Sequence, residues 1–300
     1  MPAQPPPDRP VCAVCGGQEL HLHLRVAGAP GPEGLTPATD RFGVALGDIV
    51  RCAGCGHMQL DRLPAGLASG YAAATGDEYL EEEAGQRATA RSVLERLEPR
   101  VAGRRLLDVG AWVGFLAAEA RDRGWAVRGL EPSAYASVHA RERLGLDVVT
   151  GDVESADLPP GEFDAVVLGD VIEHLRDPGG ALDRVHELLA PGGAVCLMLP
   201  DAGSRLARTL GARWWSVVPT HVHYFTRASM RALLVRHGFD VLELGTHPKA
   251  FSVRYYLGRA GGYSRPLARL LVAAAERLGV ADRLWAPDFH DRMLVLGRRR

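Results

Sequence analysis

The chain of 300 residues is 47% apolar and 24% charged, the balance of a soluble globular protein, and its length allows two domains. Its 35 basic and 36 acidic residues nearly cancel, which argues against a protein that neutralises nucleic-acid phosphate or an anionic membrane face. No apolar run reaches the ~20 residues of a membrane helix, and the opening MPAQPPPDRP lacks the apolar core of a secretory signal, so no membrane partner is expected and the expected compartment is the cytoplasm.

Four of the five cysteines fall in two CxxCG pairs, Cys12 with Cys15 and Cys52 with Cys55. In a cytosolic chain such pairs are poor candidates for disulfides. Paired thiolates followed by a glycine that relieves the tight turn instead present sulfur to a tetrahedral zinc. Between the pairs, Leu20, Leu22, Leu24 and Val26 alternate with His21, His23 and Arg25 as a half-exposed strand would, and a Pro/Gly loop follows at 28–37. Residues 1–63 therefore read as a small zinc ribbon. Four cysteines fill the coordination shell, so the Zn2+ is expected to be structural, with His21, His23 and His57 at the surface. A ribbon that keeps its cysteines but holds little metal is the competing reading. Cys196, inside AVCLMLP, is expected to be a buried strand residue.

Residues 64–103 read as a connecting helical segment, with Tyr71, Tyr79 and an acidic run at 81–83 leading into a helix that ends near Pro99. From 104 the pattern alternates: RRLLDV, a helix from about 113, WAVRGL, a helix from about 133, LDVVT, then FDAVVLG. A helix over about 178–189, the strand AVCLMLP, a helix over about 227–237 and the strands DVLELG and RMLVLG complete it, with 248–290 inserted between the last two. This alternation predicts an α/β fold with a doubly wound, mostly parallel, seven-stranded Rossmann-like sheet over 104–300.

Ligands of such sheets bind beyond the carboxyl ends of the strands, so the residues just after each apolar run are the ones to inspect. The first turn is DVGAWVG, with Asp108, Gly110 and Gly114. A dinucleotide fingerprint starting at Gly110 would need glycine at 112 and 115, where Trp112 and Phe115 stand, and the nicotinamide reading fails. The ordered set LLDVGAWVGFL, GLEPS, TGDV, FDAVVLGDVIEHLRDP and LLAPGG, spread over roughly 104–200, resembles the class I S-adenosylmethionine-dependent methyltransferases. The CxxCG module in front and PTHVHYFTRASMRALLVRHGF behind resemble a subgroup with an N-terminal zinc-binding segment found among sugar and natural-product methyltransferases.

The resemblance implies S-adenosyl-L-methionine as cofactor. A tight turn at Gly110 lets backbone come close, and the helix beginning near Gly114 offers free N–H groups to the methionine carboxylate. Glu131, 23 residues after Asp108, ends the second strand, where a carboxylate can accept both ribose hydroxyls; its alternative role is to cap the helix after Pro132. Asp152 falls where the family's acid meets the adenine amino group, with a plain turn residue as the alternative, and Asp170 falls where the family lines the methyl-donor pocket. The family pattern is DxGxGxG, so Trp112 departs from it. Either the loop is rearranged and the indole packs over a ligand, or the cofactor site is impaired.

An oxygen or carbon acceptor must lose a proton, and the residues placed to take it are His221, His223 and Tyr224, the two histidines on one face if that segment is extended. A hydrogen-bonded structural role for either is the alternative. His174 reads as a wall of the pocket, Trp214, Trp215 and Tyr224 as acceptor lining or as packing, and 248–290 as a cover for the acceptor or a dimer surface. The expected function is methyl transfer to a small-molecule acceptor, with a disabled methyltransferase fold acting as a scaffold as the second reading. An RNA methyltransferase is a third, and it lacks the basic stripe and aromatic platforms it would need.

Overall fold

In the computed structural model the described residues are 10–28, 42–63, 72 and 80–300. The expected loop beyond Gly28 and the stretch holding Tyr71 and Tyr79 lie outside them. The chain begins with three antiparallel strands, β1 (Leu20–Leu24), β2 (Ile49–Cys52) and β3 (Met58–Leu60). Helix α1 (Glu83–Leu97) leads into β4 (Arg105–Val109), α2 (Phe115–Asp122), β5 (Ala126–Glu131), α3 (Ala134–Leu144) and β6 (Val148–Thr150). Then come β7 (Phe163–Gly169), α4 (Pro178–Leu188) and β8 (Leu189–Pro200). A short α5 (Arg205–Leu210), β9 (His223–Tyr224), α6 (Arg227–Arg236) and β10 (Phe239–Thr246) follow. Helices α7 (Val253–Arg259) and α8 (Arg265–Arg277) occupy the insertion before the last strand, β11 (Arg292–Arg299).

The main sheet has seven strands in the order β10-β11-β8-β7-β4-β5-β6. Strands β4 to β8 are parallel, and β11 runs antiparallel to both of its neighbours, β8 and β10. Because side chains on a strand alternate between faces, odd and even positions build different cores. Val195, Leu197 and Leu199 of β8 and Met293 and Val295 of β11 pack with Leu182, Val185 and Leu188 of α4 and Leu233 and Leu234 of α6. Ala194, Cys196 and Met198, with Leu294 and Leu296, pack on the opposite face against Val93, Leu94 and Leu97 of α1. Cys196 is thus a fully buried strand residue, as expected. No helix among the described residues is long and apolar enough to cross a membrane.

Strand order reverses between β4 and β7, and the carboxyl ends of these strands mark the crevice where ligands of such sheets bind. The insertion is tied down beside it. The Ala250 N–H donates to Thr89 Oγ1 (2.8 Å), and Glu82 accepts the N–H and hydroxyl of Ser252 (2.8 and 2.6 Å).

The N-terminal strands are joined by a fourth, β9, whose His223 and Tyr224 register with Gln59 and Met58 of β3. Two surface expectations change here. His57 is fully buried, because β9 and Phe225 close over it. Leu22 is 51% exposed rather than on a buried face, because the register of β1 on β2 shifts between Leu22 and Leu24 and the strand twists away there. His21 and His23 are exposed, as expected.

Candidate functional site

The cofactor-side residues stand where β4 and β5 end. Gly110 has φ +70°, and its N–H and that of Ala111 both donate to the Leu130 carbonyl (2.8 and 3.0 Å), which folds the turn back on β5. A Cβ on Gly110 would lie 2.4 Å from Val171 Cγ2, so only glycine fits this edge of the crevice. Gly114, at φ +90°, caps α2, and a Cβ there would meet Leu146 Cδ1 at 2.6 Å. Asp108 is 3% exposed, and its Oδ2 has no hydrogen-bond partner among the described residues. Burial, aided by the charge of Glu131, pushes its carboxyl up to about 7.

Trp112 keeps the glycine-like backbone of the turn, with φ +48°, a conformation that costs a bulky residue about 1 to 2 kcal/mol. Its indole packs with the cluster of Val113, Phe115 and Ala136, beside Leu80 and Tyr135. The Trp112 N–H donates to Glu131 Oε2 (2.7 Å), and the Ser133 N–H donates to Glu131 Oε1 (2.8 Å). Glu131 is therefore 4% exposed and fixed in orientation, its carboxyl pushed up by burial against these two bonds. Asp152 is exposed and accepts the N–H and hydroxyl of Ser155 (2.8 and 2.7 Å), an Asx turn.

Across the crevice, Asp170 follows β7 at φ +56° and is ion-paired to both Lys249 and Arg292. Burial would push this carboxyl up, but the Arg292 guanidinium and the Lys249 ammonium hold it well below the usual carboxylate range. Glu173 is 1% exposed, and burial next to the Asp170 charge pushes it up to about 8. Its backbone carbonyl accepts the N–H groups of Val222 and His223 (3.0 Å each), and His174 Nδ1–H donates to the Thr220 carbonyl (2.8 Å). These bonds clamp the 220–223 segment onto the turn after β7. The His221 ring then lies edge-on to that of His174, with centroids 4.6 Å apart, and its Nδ1–H donates to the Ser216 carbonyl (2.7 Å). Burial holds His174 down to about 4 and His221 well below the ordinary histidine value, so both are neutral at pH 7.

His221 and His223 do not share a face. Residue 221 belongs to a turn closed by its N–H to the Val218 carbonyl (3.1 Å), and the strand begins only at 223. His223 turns to the N-terminal sheet, 1% exposed, with Nδ1 3.2 Å from His57 Nε2. Trp214 is buried and donates its indole N–H to Asp291 (3.1 Å), while Trp215 packs edge-on to Phe289. Lys249, Arg292 and Glu173 were not singled out from the sequence. The only available signals were that Lys249 is the sole lysine and that Glu173 adjoins His174 in DVIEHL.

The four cysteines come together in the N-terminal sheet. Cys12 Sγ lies 3.4 Å from Cys55 Sγ and Cys15 Sγ 3.6 Å from Cys52 Sγ, with all four sulfurs within 4.8 Å of one another. Zn–S bonds of about 2.3 Å place tetrahedral sulfurs ~3.8 Å apart, so the set fits a tetrahedral metal centre. Gly16 and Gly56 turn each knuckle at φ +74° and +72°, their N–H groups donating to the Cys12 and Cys52 carbonyls.

Comparison with known proteins bears on the family and the fold. A family model described as a methyltransferase domain matches residues 80–244, more than half of the chain. A Mycolicibacterium smegmatis protein named "Probable S-adenosylmethionine-dependent methyltransferase" is 31% identical over 194 residues, 64% of this chain and 71% of that one. The ubiquinone biosynthesis O-methyltransferase of Pseudomonas aeruginosa is 30% identical over 137 residues, 42% of this chain and 59% of its own, so the chain spans about three fifths of the length of the first such relatives. In fold, 83% of the chain superposes on 96% of the Burkholderia thailandensis 1,6-didemethyltoxoflavin-N1-methyltransferase at a TM-score of 0.51 and 16% identity. By its domain match and its relatives, the chain belongs to the class I S-adenosylmethionine-dependent methyltransferases.

Proposed function

We propose that the chain transfers the methyl group of S-adenosylmethionine to an oxygen or carbon of a small-molecule acceptor, a nucleotide-linked sugar or natural-product intermediate. The observation that carries this reading is the pairing, across the switch point, of a glycine turn with buried carboxylates on one side and the Asp170, Glu173, His174 and His221 cluster on the other. The turn suits the cofactor: Gly110 leaves a cradle that a Cβ would fill, and Asp108 keeps an unpartnered oxygen beside it. Gly110 and Gly114 let backbone approach, and the first N–H groups of α2 take the methionine carboxylate. Glu131 accepts the ribose hydroxyls with the lone pairs that Trp112 and Ser133 leave, Asp152 faces the adenine amino group, and Asp170 walls the donor pocket.

The cofactor supplies an already activated sulfonium methyl, so the chain's task is to position and desolvate the acceptor and to deal with its proton. Of the two histidines expected to do so, His221 is retained. Its Nδ1–H is spent on Ser216, which leaves the Nε2 lone pair as the activating group. The relatives named as O-methyltransferases favour an oxygen acceptor. The four cysteines are assigned one structural Zn2+, coupled to the folding of their sheet. Calorimetry with S-adenosylmethionine and its demethylated product tests the central reading: saturable heat with either is expected, and no heat at millimolar concentration selects the scaffold reading instead.

A further inference from the structure

Glu173 is the least explained residue of the site. It is 1% exposed, and neither carboxylate oxygen has a hydrogen-bond partner among the described residues. A buried carboxyl is normally paired, hydrogen-bonded or bound to a metal. Glu173, His174 and His221 each offer one donor atom, and these atoms lie within 4.8 Å of one another. In both rings Nδ1–H donates to a backbone carbonyl, of Thr220 (2.8 Å) and Ser216 (2.7 Å), which fixes the tautomer with the lone pair on Nε2. A carbonyl behind the far ring nitrogen is the arrangement that orients metal-ligating histidines. The two backbone bonds from Val222 and His223 to the Glu173 carbonyl hold the three side chains in one preformed cluster. Lys249 and Arg292, whose charges would repel a cation, are both paired to Asp170.

We propose that Glu173, His174 and His221 bind a divalent transition-metal cation, distinct from that of the cysteines, and that its open positions take an oxygen of the acceptor. One carboxylate and two imidazoles suit Zn2+, Mn2+ or Fe2+, and three protein ligands leave the shell incomplete. The metal site stands on these residues alone; its use rests on the methyl-transfer reading above. A hydroxyl bound there ionises more readily and releases its proton to water. Its oxygen then forms a bond to the methyl carbon as the carbon–sulfur bond breaks, and the sulfonium becomes a neutral thioether. The His221 lone pair thereby activates the acceptor through the cation.

The test uses the full chain with the cysteine site loaded with zinc and excess metal removed, titrated with Mn2+, which thiolates bind poorly. Electron paramagnetic resonance and calorimetry count the bound Mn2+. One saturable Mn2+ per chain is expected, with affinity falling by about tenfold or more in Glu173→Gln and in His221→Ala while zinc stays at one per chain. Glu173→Gln is a neutral isostere, and His174→Ala probes the site from another ligand, so a fold defect in one variant leaves the others to decide. Absence of saturable binding of Mn2+, Co2+ or further Zn2+ up to about 1 mM, or equal binding in every folded variant, overturns the proposal. Cofactor calorimetry on metal-depleted and Mn2+-loaded samples separates the two readings, since cofactor binding without Mn2+ binding refutes the metal site alone.

Discussion

Replacing Glu131 by alanine should reduce both stability and cofactor affinity, by amounts the geometry sets. In the folded chain its two oxygens accept the Trp112 and Ser133 N–H groups at 2.7 and 2.8 Å, in a setting only 4% exposed. Hydrogen bonds to a charged group contribute about 1.5 to 3 kcal/mol each, and at the lower figure the pair comes to about 3 kcal/mol. For a domain of this size that lowers the melting temperature by roughly 6 °C. The ribose hydroxyls add a second loss of about 1.5 to 3 kcal/mol, read as a roughly tenfold to hundredfold weaker Kd. Glu131→Gln keeps the shape but only one accepting oxygen, so it should melt and bind between the parent and the alanine variant. Differential scanning calorimetry and titration with the demethylated cofactor are the assays. An alanine variant that melts with the parent would show that the two backbone bonds are not held. Cofactor affinity within about threefold of the parent, well under the factor of ten that 1.4 kcal/mol represents, would remove Glu131 from the ribose site.

Metal analysis should find one zinc per chain in the cysteine site, and Cys52→Ser should lose it and unfold the N-terminal sheet with little change in cofactor affinity; a well-folded metal-free chain that takes up no zinc counts against the assignment. Asp108 gives a pH signature. Its folded value near 7 lies above the ordinary 3.8, so the native state holds a proton that the unfolded state has lost, and this stabilisation, complete below about pH 4, disappears as pH rises through 7. The melting curve of Asp108→Asn should therefore flatten over that range relative to the parent, and parallel curves would contradict the buried, protonated carboxyl. Once an acceptor is found, His221→Ala should cut the single-turnover rate by about 10² to 10⁴ with cofactor affinity nearly unchanged, whereas a variant keeping more than about a third of the rate clears His221 of any part in activation.

Much of the sheet was legible because its strands are short apolar runs bounded by turn residues. FDAVVLG coincides with β7, and the other strands of the alternation shift by one or two residues, except that β8 begins five residues before the expected AVCLMLP. The cofactor-side residues were legible for a related reason, since position after a strand fixes what edge of the sheet a residue reaches. The opposite side was legible only in part, with Asp170, His174 and His221 singled out and Glu173, Lys249 and Arg292 not. Asp170, Lys249 and Arg292 meet across spans of 79 and 122 residues, and nothing local in HPKAF or DRML announces a partner for a carboxylate. Trp112 looked like a broken glycine motif because the sequence shows the side chain, whereas the turn depends on the backbone, which the indole tolerates at φ +48°. His57 was expected at the surface, and His223 was read as a base or as a hydrogen-bonded structural residue. Neither segment shows locally that its ring is buried; the pairing of β9 with β3 brings the two histidines together from 166 residues apart in the chain and buries both.

That pairing makes the N-terminal sheet something other than a bead on a string. Strand β9 follows the His221 turn directly, and its sheet neighbour is β3, which begins at Met58, six positions beyond Cys52 and one past His57. Cys12, Val14 and Cys52 also share one apolar cluster with Phe225 and the α4–α6 face of the main sheet. Excising residues 1–63 would therefore strip β9 of its partner, leave an unpaired edge and bare Phe225 to water. The 220–223 segment on the acceptor side of the crevice would lose its sheet neighbour, and Leu107 and Val109 of β4 and Leu130 of β5, which belong to the same apolar cluster, would lose part of their packing beneath the donor side. The two sides of the crevice thus differ in degree of support: the donor turn is tied directly to β5, and the acceptor turn also leans on a second sheet whose four cysteine sulfurs lie within 4.8 Å of one another.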